Sequence, residues 1–149
     1  MAATLITLAD QIVTALNEHT FTPAVTAVRR YVPLIELKEM ELGKTYLTIV
    51  PVGDAAESEY RNNDFELTEY SIDIGLQKRL ELPKSSDDAQ CDVLVGLLEN
   101  LNDFLRTAGV ASAVWTSRET LAPFNPDLLR TQRLFEAVAR HKYQRGRST

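Results

Sequence analysis

Between residues 69 and 82 the chain reads EYSIDIGLQKRLEL, and nearly every second side chain is apolar. Tyr70, Ile72, Ile74, Leu76, Leu80 and Leu82 fall on one side, with Lys78 the only charge among them. Glu69, Ser71, Asp73, Gly75, Gln77, Arg79 and Glu81 fall on the other. Successive side chains of an extended chain point to opposite faces, so the pattern predicts a half-buried strand, apolar face inward and polar face in water. Its fourteen residues exceed the usual strand of about five or six. A strand of that length is the spine of a sheet, and any partner shorter than it leaves one end unsupported.

The flanking segments supply the rest of a two-layer fold. Residues 4–18 repeat Leu5, Leu8, Ala9, Ile12, Val13 and Leu16 at spacings of three and four, the signature of an amphipathic helix. Residues 24–32 alternate as a strand that Pro33 ends, with Arg29 and Arg30 on opposite faces and at least one of them in solvent or in an ion pair. Residues 34–43 mix apolar and charged side chains and predict a loop with one helical turn, closed by Gly43. Residues 45–52 are apolar on both faces, as an internal strand requires, and Gly53 with Asp54 offers turn chemistry after them. The polar stretch 55–68 holds the turn formers Asn62, Asn63 and Asp64 between Tyr60 and Phe65, which predicts a hairpin arm leading into the long strand.

After the spine, Pro83 stops the strand, and Ser85 with Asp88 three residues on resembles a capping box. A helix then runs to about Thr107 on the stripe Val93, Leu94, Leu97, Leu98, Leu101, Phe104 and Leu105, with Gly109 placed for a left-handed terminus. Residues 111–121 form a strand in which Trp115 is a packing residue, and residues 127–130 form a short turn or 3₁₀ segment. Residues 132–144 alternate as a final strand, although Leu134, Ala137, Val138 and His141 also fit a helical period. The expected architecture is one α+β domain over residues 1–144, a mostly antiparallel sheet with two main helices on one face and a projecting β-hairpin arm. The basic residues 145–149 are expected to be a disordered tail.

Composition bears on function chiefly by exclusion. A net charge of −5 opposes the basic footprint of a general nucleic-acid binder. Cys91 is the single cysteine, so no intrachain disulfide is possible, and neither His19 nor His141 sits in a motif that would activate it. The N-terminus lacks the basic start of a secretory leader, no stretch approaches a membrane span, and the chain is expected to act inside a cell or in a particle assembled there. Phosphate-binding glycine loops, HExxH, CxxC and GxSxG motifs are missing from the sequence. The carboxylates are scattered, Asp87 and Asp88 at a helix cap and Glu99 and Asp103 on a solvated face, so the residues point to no metal, no cofactor and no catalytic set.

The order helix, two strands, hairpin arm into a long strand, helix, strand, strand resembles the tail-terminator and head–tail joining (neck) proteins of tailed bacteriophages. The segments TLADQIVTALNEHTF, VRRYVPLIELKEMELGKTYLTIVP and EYSIDIGLQKRL carry the likeness, followed by the acid-capped helix, AVWTSRET and the last strand. It covers nearly the whole chain and lies in order and texture, without a diagnostic signature. The resemblance implies a non-enzymatic virion protein of the tail or neck, assembled in the host cytoplasm. It would form a homo-oligomeric, hexameric ring that caps the tail tube and faces the head connector or stopper protein. DNA would pass its lumen without specific binding, and no membrane would be involved. On this reading Tyr60, Arg61, Asn62, Asn63, Asp64 and Phe65 form an arm that meets a neighbouring subunit or the tube protein. The alternatives are another neck or head-completion adaptor, an assembly factor of a related contractile system, and, least in keeping with the missing motifs, a small-molecule enzyme.

Overall fold

A computed structural model describes residues 4–62, 65–111, 113–122 and 125–148. Eight elements order the chain: α1 (Thr4–Glu18), β1 (Ala27–Arg29), β2 (Thr45–Asn62), β3 (Phe65–Arg79), α2 (Asp87–Thr107), β4 (Val114–Ala122), α3 (Pro126–Gln132) and β5 (Leu134–Ser148). The strands form one five-stranded sheet in the order β1-β2-β3-β5-β4. All neighbours are antiparallel except β1 and β2. The alternating stretch lies on β3, at the centre of the sheet, but the strand is displaced toward the N-terminus relative to residues 69–82. It begins at Phe65 and stops at Arg79. Leu80 is buried beyond its end, whereas Leu82 is exposed.

One face of the sheet carries the core. Tyr70, Ile72, Ile74 and Leu76 of β3, Leu47 and Ile49 of β2, and Phe135, Ala137 and Tyr143 of β5 pack against Leu8, Ile12 and Leu16 of α1 and Leu94, Leu97, Leu101 and Leu105 of α2. This is the two-helix layer expected from the apolar stripes, with one substitution in α2. Val93 is exposed, and Asn102 turns inward in its stead.

The opposite face is not the solvated face that the polar alternation predicts. Asp73 and Gln77 are buried, Gln77 completely. A strap formed by residues 33–42 crosses this face and supplies the reason. The carbonyl of Pro33 lies so close above Gly75 that a Cβ there would collide with it. The Gln77 side chain replaces backbone pairing for the strap: its Oε1 accepts from Ile35 N at 2.9 Å, and its Nε2 donates to Ile35 O and to Glu136 Oε1, both at 3.0 Å. Arg79 donates to the carbonyl of Met40 at 3.1 Å. The expected single helical turn is present at Leu37–Glu39, and Gly43, at φ 80°, closes the strap.

Other local expectations shift for identifiable reasons. β1 keeps only three of the nine residues read as a strand, because pairing with β2 ends at Arg29, whose guanidinium turns to Asp10 of α1 at 2.8 Å. Gly53 and Asp54 form no turn. The β2–β3 register slips between Pro51 and Gly53, and β2 continues through the bulge. Ser86, not Ser85, precedes α2, and its hydroxyl donates to Pro83 O without capping the helix. α2 ends on extended Ala108, and Gly109 keeps a negative φ. Residues 126–132 make a full α-helical segment, capped by Asn125 accepting from Asp127 N at 2.9 Å. Residues 134–148 are a strand. Arg133, in the left-handed conformation at φ 51°, separates α3 from β5 and lets β5 start in register with Arg79. The basic end expected to be disordered continues β5 beside β3, with Arg145 opposite Thr68 and Arg147 opposite Glu66.

Candidate functional site

β1 pairs with β2 only from Leu47 to Ile49, and β4 pairs with β5 only between Val138 and Gln144. Along β3 the sheet therefore narrows from five strands to four beyond Ile74 and to three past Glu69. β2, β3 and β5 alone continue, to Asn62, Phe65 and Ser148 respectively. The hairpin arm expected from the turn formers is thus present in the backbone and has a third strand along one side. Asn62 pairs with Phe65 at its end, and a second register slip between Glu57 and Asn62 places more residues on β2 than on β3. Such slips strengthen twist and turn a strand edge out of the plane of its sheet.

Of the residues singled out for an interface, Tyr60, Arg61 and Asn62 are the last residues of β2, and Phe65 is the first of β3. The fold brings these four to one end of the sheet. Asn63 and Asp64 lie outside the described residues. Along the arm, β2 has an open edge on the side that β1 leaves unpaired, and β5 has one beyond Gln144. β4 presents the other long open edge, with Val114 and Leu121 exposed. Unpaired N–H and C=O groups along such edges are the groups that a strand of another chain can engage.

The base of the sheet is held by polar contacts that the sequence pattern did not disclose. His141 is fully buried between β4 and α2. Its Nδ1 accepts from Trp115 Nε1 at 2.9 Å, which leaves the proton on Nε2 to be donated to Asn102 Oδ1 at 2.9 Å. Burial, and secondarily the charge of Arg118, pushes the imidazole down to about 4, so it is neutral at pH 7. On the strap-covered face Arg140 grips Asp73 through two bonds, Nε to Oδ1 at 2.7 Å and Nη2 to Oδ2 at 3.1 Å. Asp87, at the start of α2, pairs with Arg133, whose Nε lies 3.2 Å from Oδ2, and this hydrogen bond holds the carboxyl below its ordinary range.

These groups are engaged with one another and tie elements together. The Cys91 thiol is pushed up by partial burial and then by Asp87, Asp88 and Asp92, the reverse of an activated nucleophile. Among the described residues no three His, Cys, Asp or Glu side chains converge as metal ligands, and no helix is long and apolar enough to cross a membrane.

No protein-family model matches the sequence, and no curated protein does. Solved structures do share its fold. One is the sheath/tube terminator of an extracellular contractile injection system, PVC, seen by cryo-EM in its extended state. The alignment covers 100% of this chain and 57% of that one, with a TM-score of 0.50 and 12% identity. The chain therefore spans little more than half the length of this structural neighbour, and the likeness is one of fold. The α+β architecture expected from the order of elements is the architecture the chain has.

Proposed function

We propose that this chain is a structural subunit of a tailed-phage particle, a tail terminator. Six copies would close into a ring on the end of the tail tube, stop its growth and present a face to the head connector. The role is architectural and not enzymatic. The observation that carries the reading is the three-stranded arm, which extends a sheet whose fold is shared with a sheath/tube terminator. A ring requires a heterologous contact in which one surface of a subunit meets a different surface of the next. An arm at one end of the sheet and open edges elsewhere supply two such surfaces. The chain's net charge of −5 suits a channel that DNA traverses without adhering, since phosphates are repelled.

A terminator or adaptor of a non-phage contractile particle is the second reading, favoured because the structural neighbour comes from such a system. The test is direct. Purified chain is added to isolated tail tubes, tube subunits are supplied afterwards, and tube lengths are read by electron microscopy. The proposal expects ring density at one tube end and no further elongation. Tubes that lengthen as they do without the chain would refute it. Phage tubes capped while sheathed contractile tubes are not, or the reverse, separates the two readings.

A further inference from the structure

The two ends of the sheet differ in charge. At the base, where β2 begins, a groove of about 570 Å³ opens between residues 23–28 and residues 43–48. Arg30, Lys44 and Lys78 line it, together with Val28 and Tyr46, and its lining contains no carboxylate. Glu81 stands against Gly43 at the border without lining it. Among the described residues none of the three cations has a carboxylate within ion-pair distance, and the contact recorded for Lys44 is with the ring of Tyr46, 5.1 Å away. Three uncompensated cations in one groove are notable on a chain of net charge −5. At the far end of the same strand, residues 54–62 carry Asp54, Glu57 and Glu59 against Arg61. β3 adds Glu66 and Glu69, and the arm's third strand returns Arg145 and Arg147, so the arm stays acidic on balance.

We propose that the acidic β2 strand of one copy's arm docks in the Arg30–Lys44–Lys78 groove of the next copy, beside its β1. The proposal names the contact surfaces of the assembly proposed above, and it rests on that reading. Geometry excludes the intramolecular version. The groove is lined by Thr45, Tyr46 and Leu47, the first residues of β2, whereas the acidic residues begin at Asp54. At about 3.3 Å per residue, more than about 20 Å of rigid paired strand separates them. An occupant must therefore come from another molecule. The backbone edge of β1 is largely closed, since the Asn17 side chain accepts from Ala27 N at 2.7 Å and donates to Ala27 O at 3.1 Å, so charge and not strand pairing holds the occupant. The contact joins the far end of one sheet to the base of another. It is heterologous, as ring closure demands.

The test uses two full-length charge-reversed variants, R30E/K44E in the groove and E57K/E59K in the arm. Arg30 and Lys44 are exposed, and circular dichroism checks that both variants fold. Masses are read by native mass spectrometry at low salt, because a contact of this kind weakens as salt screens it. Each variant alone is expected to remain a 16.7 kDa monomer under conditions where the wild type assembles. Mixed in equal amounts, the two should assemble again, since each one's arm then matches the other's groove, and the rings should hold equal numbers of both. Variants that assemble singly overturn the proposal, as does a mixture that stays monomeric. If the wild type instead binds a DNA duplex, and R30E/K44E loses that binding yet still assembles, the groove is a phosphate track and the proposal fails. A wild type that assembles while these variants behave otherwise than predicted sinks only this contact. A wild type that never assembles, on tubes or off them, sinks the terminator reading as well.

Discussion

The base and the arm of this sheet are made from the same three strands and differ in almost everything else. At the base β2, β3 and β5 are flanked by β1 and β4, covered by α1 and α2 on one face, and crossed by the 33–42 strap on the other. In the arm the same strands run on without flanking partners. A sheet needs neighbours and cover to be stable, so the base should carry the folding energy and the arm should draw on it. The contrast teaches that β3 lies in two environments. From Tyr70 to Leu76 it is a core strand, and toward Phe65 it runs out beyond the flanking strands.

The contrast can be broken at the base first. Phe135 is fully buried in the core on the helix-covered face, so Phe135→Ala should cost about 3–5 kcal/mol in a denaturant titration. A loss below about 1 kcal/mol would mean that the core lies elsewhere.

Acid should act next. The folded state keeps His141 neutral down to about pH 4, while the unfolded chain takes up a proton near 6.5. The unfolded state therefore binds more protons in that window, and stability falls as pH drops through it. The full shift corresponds to about 3 kcal/mol, lost between about pH 6.5 and 4. Because folded His141 stays neutral between Trp115 of β4 and Asn102 of α2, the loss should appear as a falling denaturant midpoint between about pH 6.5 and 4, while Trp115 emission of the folded chain holds until about pH 4. A denaturant midpoint that does not move across that window would contradict the role given to the imidazole.

A smaller effect tests the strap. Gly75→Ala drives a methyl group into the Pro33 carbonyl, a backbone atom with little freedom to yield. Overpacking of this kind costs about 1–3 kcal/mol and should speed hydrogen exchange at the Ile35 amide, which Gln77 now holds. Unchanged exchange would show that the strap does not depend on this approach.

Much of the base was legible in the sequence. The stripe of α1 and most of that of α2 could be read because a helix with one buried face must repeat at three and four. β3 and β5 could be read from alternation, although β5 also fits a helical period, and only the left-handed Arg133 and the pairing with β3 decide between them. The strap-covered face was not legible. Asp73, Gly75 and Gln77 look like solvent residues, and nothing local shows that a segment some forty positions earlier returns to cover them, so alternation alone mistakes a satisfied polar interior for a wet face. Arg145 and Arg147 misled in the same way: their composition suggests a free tail, but the partner that orders them is β3. Of the candidate interface, the hairpin was visible in its turn formers. The groove at the opposite end was not, because Arg30, Lys44 and Lys78 are brought together only by the pairing of β1 with β2 and of β2 with β3.

The most direct measurement replaces residues 58–66 with Asn-Gly, so that Glu57 and Leu67 are joined by a two-residue hairpin, and compares this chain with the wild type by sedimentation, alone and on tail tubes. The shortened chain should keep the melting temperature of the base to within a few degrees, sediment as a monomer, and fail to form rings or arrest tube growth. A shortened chain that still assembles and caps tubes like the wild type would contradict the claim that the arm exists for assembly.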